Sequence, residues 1–162
     1  MKRPEQKLLD FLKDHHLTIA FAESMTCGMA AMRLGNVSGT SEVFAGSIVC
    51  YDTSVKKGLL KIPAQTIKKY TAESRQVTDN LAKHLTKKMR TDVSAAITGL
   101  AAPGGSETKQ KPVGTVFISV YLKGKLFRDK KKFSGSPLEI KEKACSAMFI
   151  YTLNVLRKKY RK

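Results

Sequence analysis

Leu17-Thr18-Ile19-Ala20-Phe21-Ala22 runs without a break into Glu23-Ser24-Met25-Thr26-Cys27-Gly28, and then into Met29-Ala30-Ala31-Met32-Arg33-Leu34. The first six residues are short and apolar and read as a buried strand. The segment after Gly28 reads as a helix of small residues to about Leu34, stopped by Gly35 and Asn36. A strand that turns directly into a helix is the building unit of an α/β fold.

Outward from this unit the pattern repeats. Upstream, Pro4 suits a first helical turn, and Leu8, Leu9, Phe11 and Leu12 give an apolar face through about His15. Downstream, Val43 to Tyr51 reads as a second strand, with Gly46 marking a bulge or a close backbone approach. A short helix follows at about Ser54 to Leu60, and Pro63 opens a short turn. Glu73 to Met89 carries Val77, Leu81 and Leu85 at helical spacing. Val93 to Thr98 is a third strand. Pro103-Gly104-Gly105 makes Gly99 to Pro112 irregular.

Val113 to Leu122 is a long strand that Lys123-Gly124-Lys125 turns into a fifth, Leu126 to Phe133. Ser136-Pro137-Leu138-Glu139 has the form of a capping box with Pro at the first helical position. The helix it opens runs to about Leu156, with Ala144, Ala147, Met148, Tyr151 and Val155 facing the core. The expected fold is a three-layer α/β/α sandwich with a mixed, mostly parallel sheet of about five strands. The hairpin supplies the antiparallel part.

With 162 residues and no linker, the chain is expected to be a single domain, residues 1–162, ending in a basic tail at 157–162. Its 42% hydrophobic and 27% charged residues exclude disorder, collagen and coiled coil. No apolar run reaches the ~18 residues of a membrane span. The N-terminus lacks the apolar stretch of a signal peptide, so a cytoplasmic location is expected. Cys27, Cys50 and Cys145 form no C-x-x-C, and His15, His16 and His84 no H-x-x-x-H. Neither a metal site nor a disulfide framework is expected.

Thirty Lys and Arg against thirteen Asp and Glu give a net charge of +17. Nucleic-acid binding, attraction of a small anion and simple solubility all fit such a charge. No nucleic-acid motif or pattern of stacking aromatics accompanies it.

Three loops follow predicted strand ends, at 22–28, 51–56 and 98–105, where open α/β sheets bind ligands. Ser24 lies at a strand-to-helix turn, with Thr26, Cys27 and Gly28 opening the helix. Free N–H groups there make an anion site or oxyanion hole; alternatively Ser24 or Thr26 simply caps the helix. Tyr51 and Lys56 follow the second strand, where Lys56 is otherwise one exposed lysine among many basic residues. Thr98-Gly99 with Gly104-Gly105 either cradles a phosphate or makes a tight loop. Cys27 is either an activated thiol or a small packing residue.

These segments together carry a resemblance. Ala22-Glu23-Ser24-Met25-Thr26-Cys27-Gly28 resembles the A-E-S-x-T-G-G motif of the CinA C-terminal domain family. Phe44 to Tyr51, with Lys56 and Leu59-Leu60, is similar to its F-x-G-x-x-x-x-Y…K-x-x-L-L segment. Thr98-Gly99-Leu100-Ala101-Ala102-Pro103-Gly104-Gly105 resembles T-G-I-A-G-P-G-G, and Lys111 to Val116 matches K-P-V-G-T-V. The four motifs are co-linear over nearly the whole chain. Larger family members have a further N-terminal domain, so this chain resembles the stand-alone form.

The resemblance implies a nicotinamide-nucleotide amidase, a carbon–nitrogen hydrolase that deamidates nicotinamide mononucleotide in pyridine-nucleotide recycling. It implies Ser24 as nucleophile with Lys56 and Tyr51 as activating partners. Substrate contacts are expected at Thr26, Cys27, Gly28, Gly46, Thr98, Gly99, Gly104 and Gly105. A lysine can serve as base only when neutral, with a pKa lowered from ~10.4 toward roughly 7–8.

Four positions depart from the family pattern. Cys27 stands for a Gly, Thr53 for an Asn, and Ala102 for a Gly. The family's G-D-R reads Gly135-Ser136-Pro137, which keeps the cap at Ser136 but replaces the arginine by Pro137, with Lys132 and Lys141 as nearby cations. The alternative function is a catalytically weak or inactive nucleotide-binding paralogue. The expected partners are a small nucleotide and further copies of the chain in a homo-oligomer, with no specific nucleic acid, no membrane and no cofactor.

Overall fold

The computed structural model describes residues 2–160. Their elements are α1 (Pro4–Asp14), β1 (Ile19–Glu23), α2 (Met29–Gly35), a 3-10 turn (Thr40–Glu42), β2 (Phe44–Val49), α3 (Thr53–Leu60), α4 (Ala64–Tyr70), α5 (Arg75–Met89), β3 (Val93–Gly99), β4 (Thr115–Leu122), β5 (Lys125–Lys132) and α6 (Pro137–Lys159). No helix among them is long and apolar enough to cross a membrane.

The strand order is β2-β1-β3-β4-β5. The β2–β1 and β1–β3 pairs are parallel, and the β3–β4 and β4–β5 pairs antiparallel. Four strands therefore share one direction and β4 opposes them. Helices cover both faces, giving the expected three layers. Along β1, Ile19 and Phe21 enter one apolar cluster with α1, α2 and α6, while Ala20 and Ala22 enter the other with Val77, Leu81 and Leu85 of α5. This two-residue alternation between two covered faces explains why the Ile19–Ala22 run contains no polar residue.

Some boundaries differ from the sequence reading for local reasons. β1 begins at Ile19, not Leu17, and includes Glu23. Thr18 donates instead from both its N–H and its hydroxyl to the Asp92 carboxylate, at 2.8 and 2.7 Å. Where Pro63 predicted only a short turn, Pro63 stands ahead of two full turns of helix, α4. α6 runs past Leu156 to Lys159, and its last turn carries Arg157, Lys158 and Lys159, whose positive charges suit the helix C-terminus. The remaining tail positions, 161 and 162, lie outside the described residues.

The expected bulge sits at Gly46. Ile19 pairs with Phe44 but Ala20 pairs with Gly46, so Ala45 is the extra residue, and Gly46 takes φ +134°. The β4–β5 hairpin turns on Lys123 and Gly124, both with positive φ, as a two-residue turn requires. β5 is an edge strand with Lys125, Lys130, Lys131 and Lys132 exposed, and such charges discourage edge pairing with another sheet.

The capping box forms as read: the Ser136 hydroxyl accepts from the Glu139 N–H, and the Glu139 carboxylate accepts from the Ser136 N–H at 2.7 Å. Ser136→Ala is expected to cost about 1 kcal/mol, seen as a fall of roughly 2–4 °C in melting temperature. An unchanged melting curve would show that Pro137 alone sets the helix start.

Candidate functional site

β2, β1 and β3 end side by side. The Cys50 N–H donates to the Glu23 carbonyl at 2.7 Å, and the Ser24 N–H to the Ile97 carbonyl at 3.1 Å. The loops that follow these strands therefore meet at one edge of the sheet, around a cleft of about 240 Å³. Ser24 and Met25 line it from the end of β1, Tyr51 from the end of β2, and Gly99 with Ala101, Ala102 and Pro103 from the end of β3. Glu73, ahead of α5, and Pro137 and Lys141, at the start of α6, complete the walls.

Ser24 is 5% exposed. Among the described residues its hydroxyl has no hydrogen-bond partner, although every fully buried side-chain polar atom is satisfied. The hydroxyl thus opens onto the cleft. The Met25 and Thr26 N–H groups also find no protein acceptor among these residues.

The rest of that turn is occupied from within. The Glu23 carboxylate is completely buried. Its Oε2 accepts from the Thr26 hydroxyl and from the N–H groups of Gly28 and Ala30; its Oε1 accepts from the Ala31 N–H and the Ser47 hydroxyl, all at 2.8–3.1 Å. The sequence reading assigned these N–H groups either to a substrate anion or to a cap by Ser24 or Thr26. The structure corrects it: Glu23 is the anion at the start of α2, and Thr26 and Gly28 serve Glu23. Cys27 is exposed with φ +51°, so it is neither a cleft residue nor a packing residue.

Lys56 is not an exposed lysine. It is 1% exposed, and its Nζ donates to the Cys50 carbonyl at 2.6 Å and the Tyr51 carbonyl at 2.9 Å. Burial lowers its pKa from 10.5, against the opposing pull of Cys50, Glu73 and Asp52. Burial also pushes the Cys50 thiol up to about 11, so the Cys50 contribution acts only at high pH, where the thiol is ionised. No hydrogen bond joins Lys56 to Ser24. Tyr51 holds the lysine through its carbonyl, while its side chain, 66% exposed, lines the cleft.

The sequence reading missed Glu73. Its carboxylate accepts from the Ser106 hydroxyl, and Lys111 Nζ clamps the surroundings by donating to the Glu73 carbonyl at 2.9 Å, the Ser106 hydroxyl at 2.7 Å and the Thr71 hydroxyl at 2.6 Å. Thr71 has φ +68° and ψ 163°, a region nearly reserved for glycine that costs of order 1–3 kcal/mol elsewhere. The lysine of K-P-V-G-T-V thus fastens the loop after β3 to the turn before α5.

The other candidates lie apart from the cleft or serve packing. Thr98 is fully buried, and its hydroxyl pairs with that of Thr78 on α5 at 2.8 Å. Gly99 does line the cleft; a Cβ there would lie 2.5 Å from both Met25 Sδ and the Thr115 carbonyl. Gly46 sits at the bulge, with Met89 nearest. Gly104 and Gly105 are exposed, and the Gly104 N–H donates to Glu107 at 2.8 Å rather than waiting for a phosphate. Of the two lysines that the sequence reading set beside Pro137, Lys141 lines the cleft, whereas Lys132 lies in a separate groove with Lys109 and Lys130. Among the described residues no three His, Cys, Asp or Glu side chains group as metal ligands.

Known proteins similar in sequence and in shape point to one family. The model of the CinA C-terminal domain matches residues 1–158. A CinA-like protein of Dictyoglomus thermophilum is 41% identical over 81% of this chain and 32% of its own length. One from Petrotoga mobilis is 38% identical over 98% of this chain and 39% of its own. The chain spans about a third of the length of such relatives. Among solved structures, a competence or damage-inducible protein of Enterobacter asburiae superposes with a TM-score of 0.89 at 27% identity, covering 94% of this chain and 96% of that one.

Proposed function

The chain belongs to the CinA C-terminal domain family, and from that premise we propose that the cleft is the active site of a serine amidohydrolase converting nicotinamide mononucleotide to nicotinic acid mononucleotide and ammonia. The observation that carries this reading is the Ser24 hydroxyl, open to the cleft without a protein partner and next to the unused Met25 N–H.

Each group has a role in that chemistry. The Ser24 oxygen attacks the carboxamide carbon and gives up its proton. The carbonyl oxygen takes the negative charge, and the Met25 N–H, which has no protein acceptor, donates to it. The C–N bond breaks as the nitrogen takes a proton and leaves as ammonia. Water then cleaves the seryl ester, releasing the acid and restoring the hydroxyl.

Lys56 suits the proton transfer. A neutral amine has two N–H bonds, one for each of the Cys50 and Tyr51 carbonyls, and one lone pair left over to accept a proton. Burial favours that neutral form. Substrate must draw Lys56 and Ser24 together, or one water or the Tyr51 phenol must bridge them. Catalytic hydrogen bonds commonly tighten in this way when substrate binds.

Ammonia release from nicotinamide mononucleotide by the purified protein tests the reading. Turnover should be insensitive to a chelator. It should rise with pH through a midpoint below 10.5, because protonated Lys56 cannot accept a proton, and the rise should vanish in Lys56→Met. Tight binding without ammonia would instead favour a nucleotide-binding paralogue.

A further inference from the structure

Two opposite charges face the cleft from opposite sides of the sheet. Glu73 lies two residues ahead of α5, which packs on the Ala20–Ala22 face. Lys141 lies in the first turns of α6, which packs on the Phe21 face. The two are not paired with each other, and neither takes part in an ion pair among the described residues.

Neither wall has another free charge of the same sign to offer. In the first turn of α6 the Glu139 N–H is taken by the capping box and Pro137 has no N–H, and Lys141 is the cationic side chain that lines the cleft from that side. On the opposite wall the Glu73 carboxylate is oriented by Ser106, and its backbone is pinned by Lys111. One carboxylate oxygen remains uncommitted. Charges held on fixed walls of a narrow cleft select ligands by the spacing and sign of the ligand's own charges.

We propose that the cleft is a polarised site for a dipolar ligand, with Glu73 receiving a cationic ring and Lys141 an anionic group. Resting on the amidase reading, this makes the two residues specificity determinants for an N-ribosylpyridinium phosphate. The pyridinium lies toward α5, the phosphate lies toward α6, and the ring presents its own carboxamide to Ser24. A charge-assisted contact of this kind changes affinity by about 10- to 150-fold.

Three probes separate the two charges: nicotinamide mononucleotide, nicotinamide riboside, which keeps the cation but lacks the phosphate, and the reduced mononucleotide, which keeps the phosphate but has an uncharged ring. Binding is measured calorimetrically on the Ser24→Ala protein, so that turnover does not intrude. Lys141→Met should weaken both mononucleotides by about 10-fold or more and leave the riboside unchanged, with Lys141→Arg retaining affinity. Glu73→Gln, which keeps an acceptor for Ser106, should weaken the mononucleotide and the riboside but spare the reduced form. Variants that bind all three probes as the parent does, or that weaken all three equally, overturn the proposal.

The ammonia assay on the intact protein keeps the two readings distinguishable. The selectivity pattern without ammonia release overturns the amidase reading and upholds the polarised site. Ammonia release with unselective variants does the reverse.

Discussion

Ser24→Ala is expected to give a folded protein whose ammonia release falls by roughly 10⁴- to 10⁶-fold, the scale on which serine hydrolases lose activity when the nucleophile is removed. The loss should appear in kcat, because the hydroxyl matters to bond making rather than to holding the nucleotide. Its removal should cost the fold little. The oxygen has no protein partner to strand, and the backbone bonds at Ser24 do not involve the side chain. Stability within about 0.5–1 kcal/mol of the parent is expected. Cys27→Gly is the matching control. Cys27 is exposed at φ +51°, a conformation glycine adopts freely, so that variant should keep its turnover. Activity that survived Ser24→Ala and disappeared in Cys27→Ser would transfer the nucleophile's role to the thiol.

What the sequence disclosed was local, and what it concealed was mostly tertiary. The Ser136 cap, the Gly46 bulge and the Lys123-Gly124 turn depend on a few adjacent residues, and each is where its chemistry demands. The parallel core followed from apolar runs too short for helices. The role of Glu23 was hidden because the Ser47 hydroxyl that shares its carboxylate comes from the neighbouring strand. A signal was nevertheless present: an acid placed just before a helix start, with a threonine three residues on, is itself a candidate to satisfy the free N–H groups. Thr98 was also open to a sharper reading. Successive strand side chains alternate faces, and Ile97 belongs to the α6 side, so Thr98 had to turn toward α5. Glu73 had no such signal, because it reaches the cleft only through the sheet order and the Lys111 clamp.

Glu23→Ala should damage the fold severely, with an expected loss of about 2–4 kcal/mol against a typical total of roughly 5–15 kcal/mol. The carboxylate accepts five hydrogen bonds from Thr26, Gly28, Ala30, Ala31 and Ser47. Its removal leaves those donors at a buried site, and each unsatisfied donor costs about 1–3 kcal/mol before water or relaxation recovers part of it. Glu23→Gln should fall between parent and Ala, since its amide carbonyl still accepts while its NH₂ confronts other donors. Denaturant midpoints measure the order of the three proteins. Turnover should drop in both variants even under conditions where they remain folded, because Ser24 and Met25 follow Glu23 directly and take their position from the turn it ties. A Glu23→Ala protein within about 1 kcal/mol of the parent would mean that water serves these donors as well as the carboxylate does, and that the geometry of Ser24 is set by the strand ends alone.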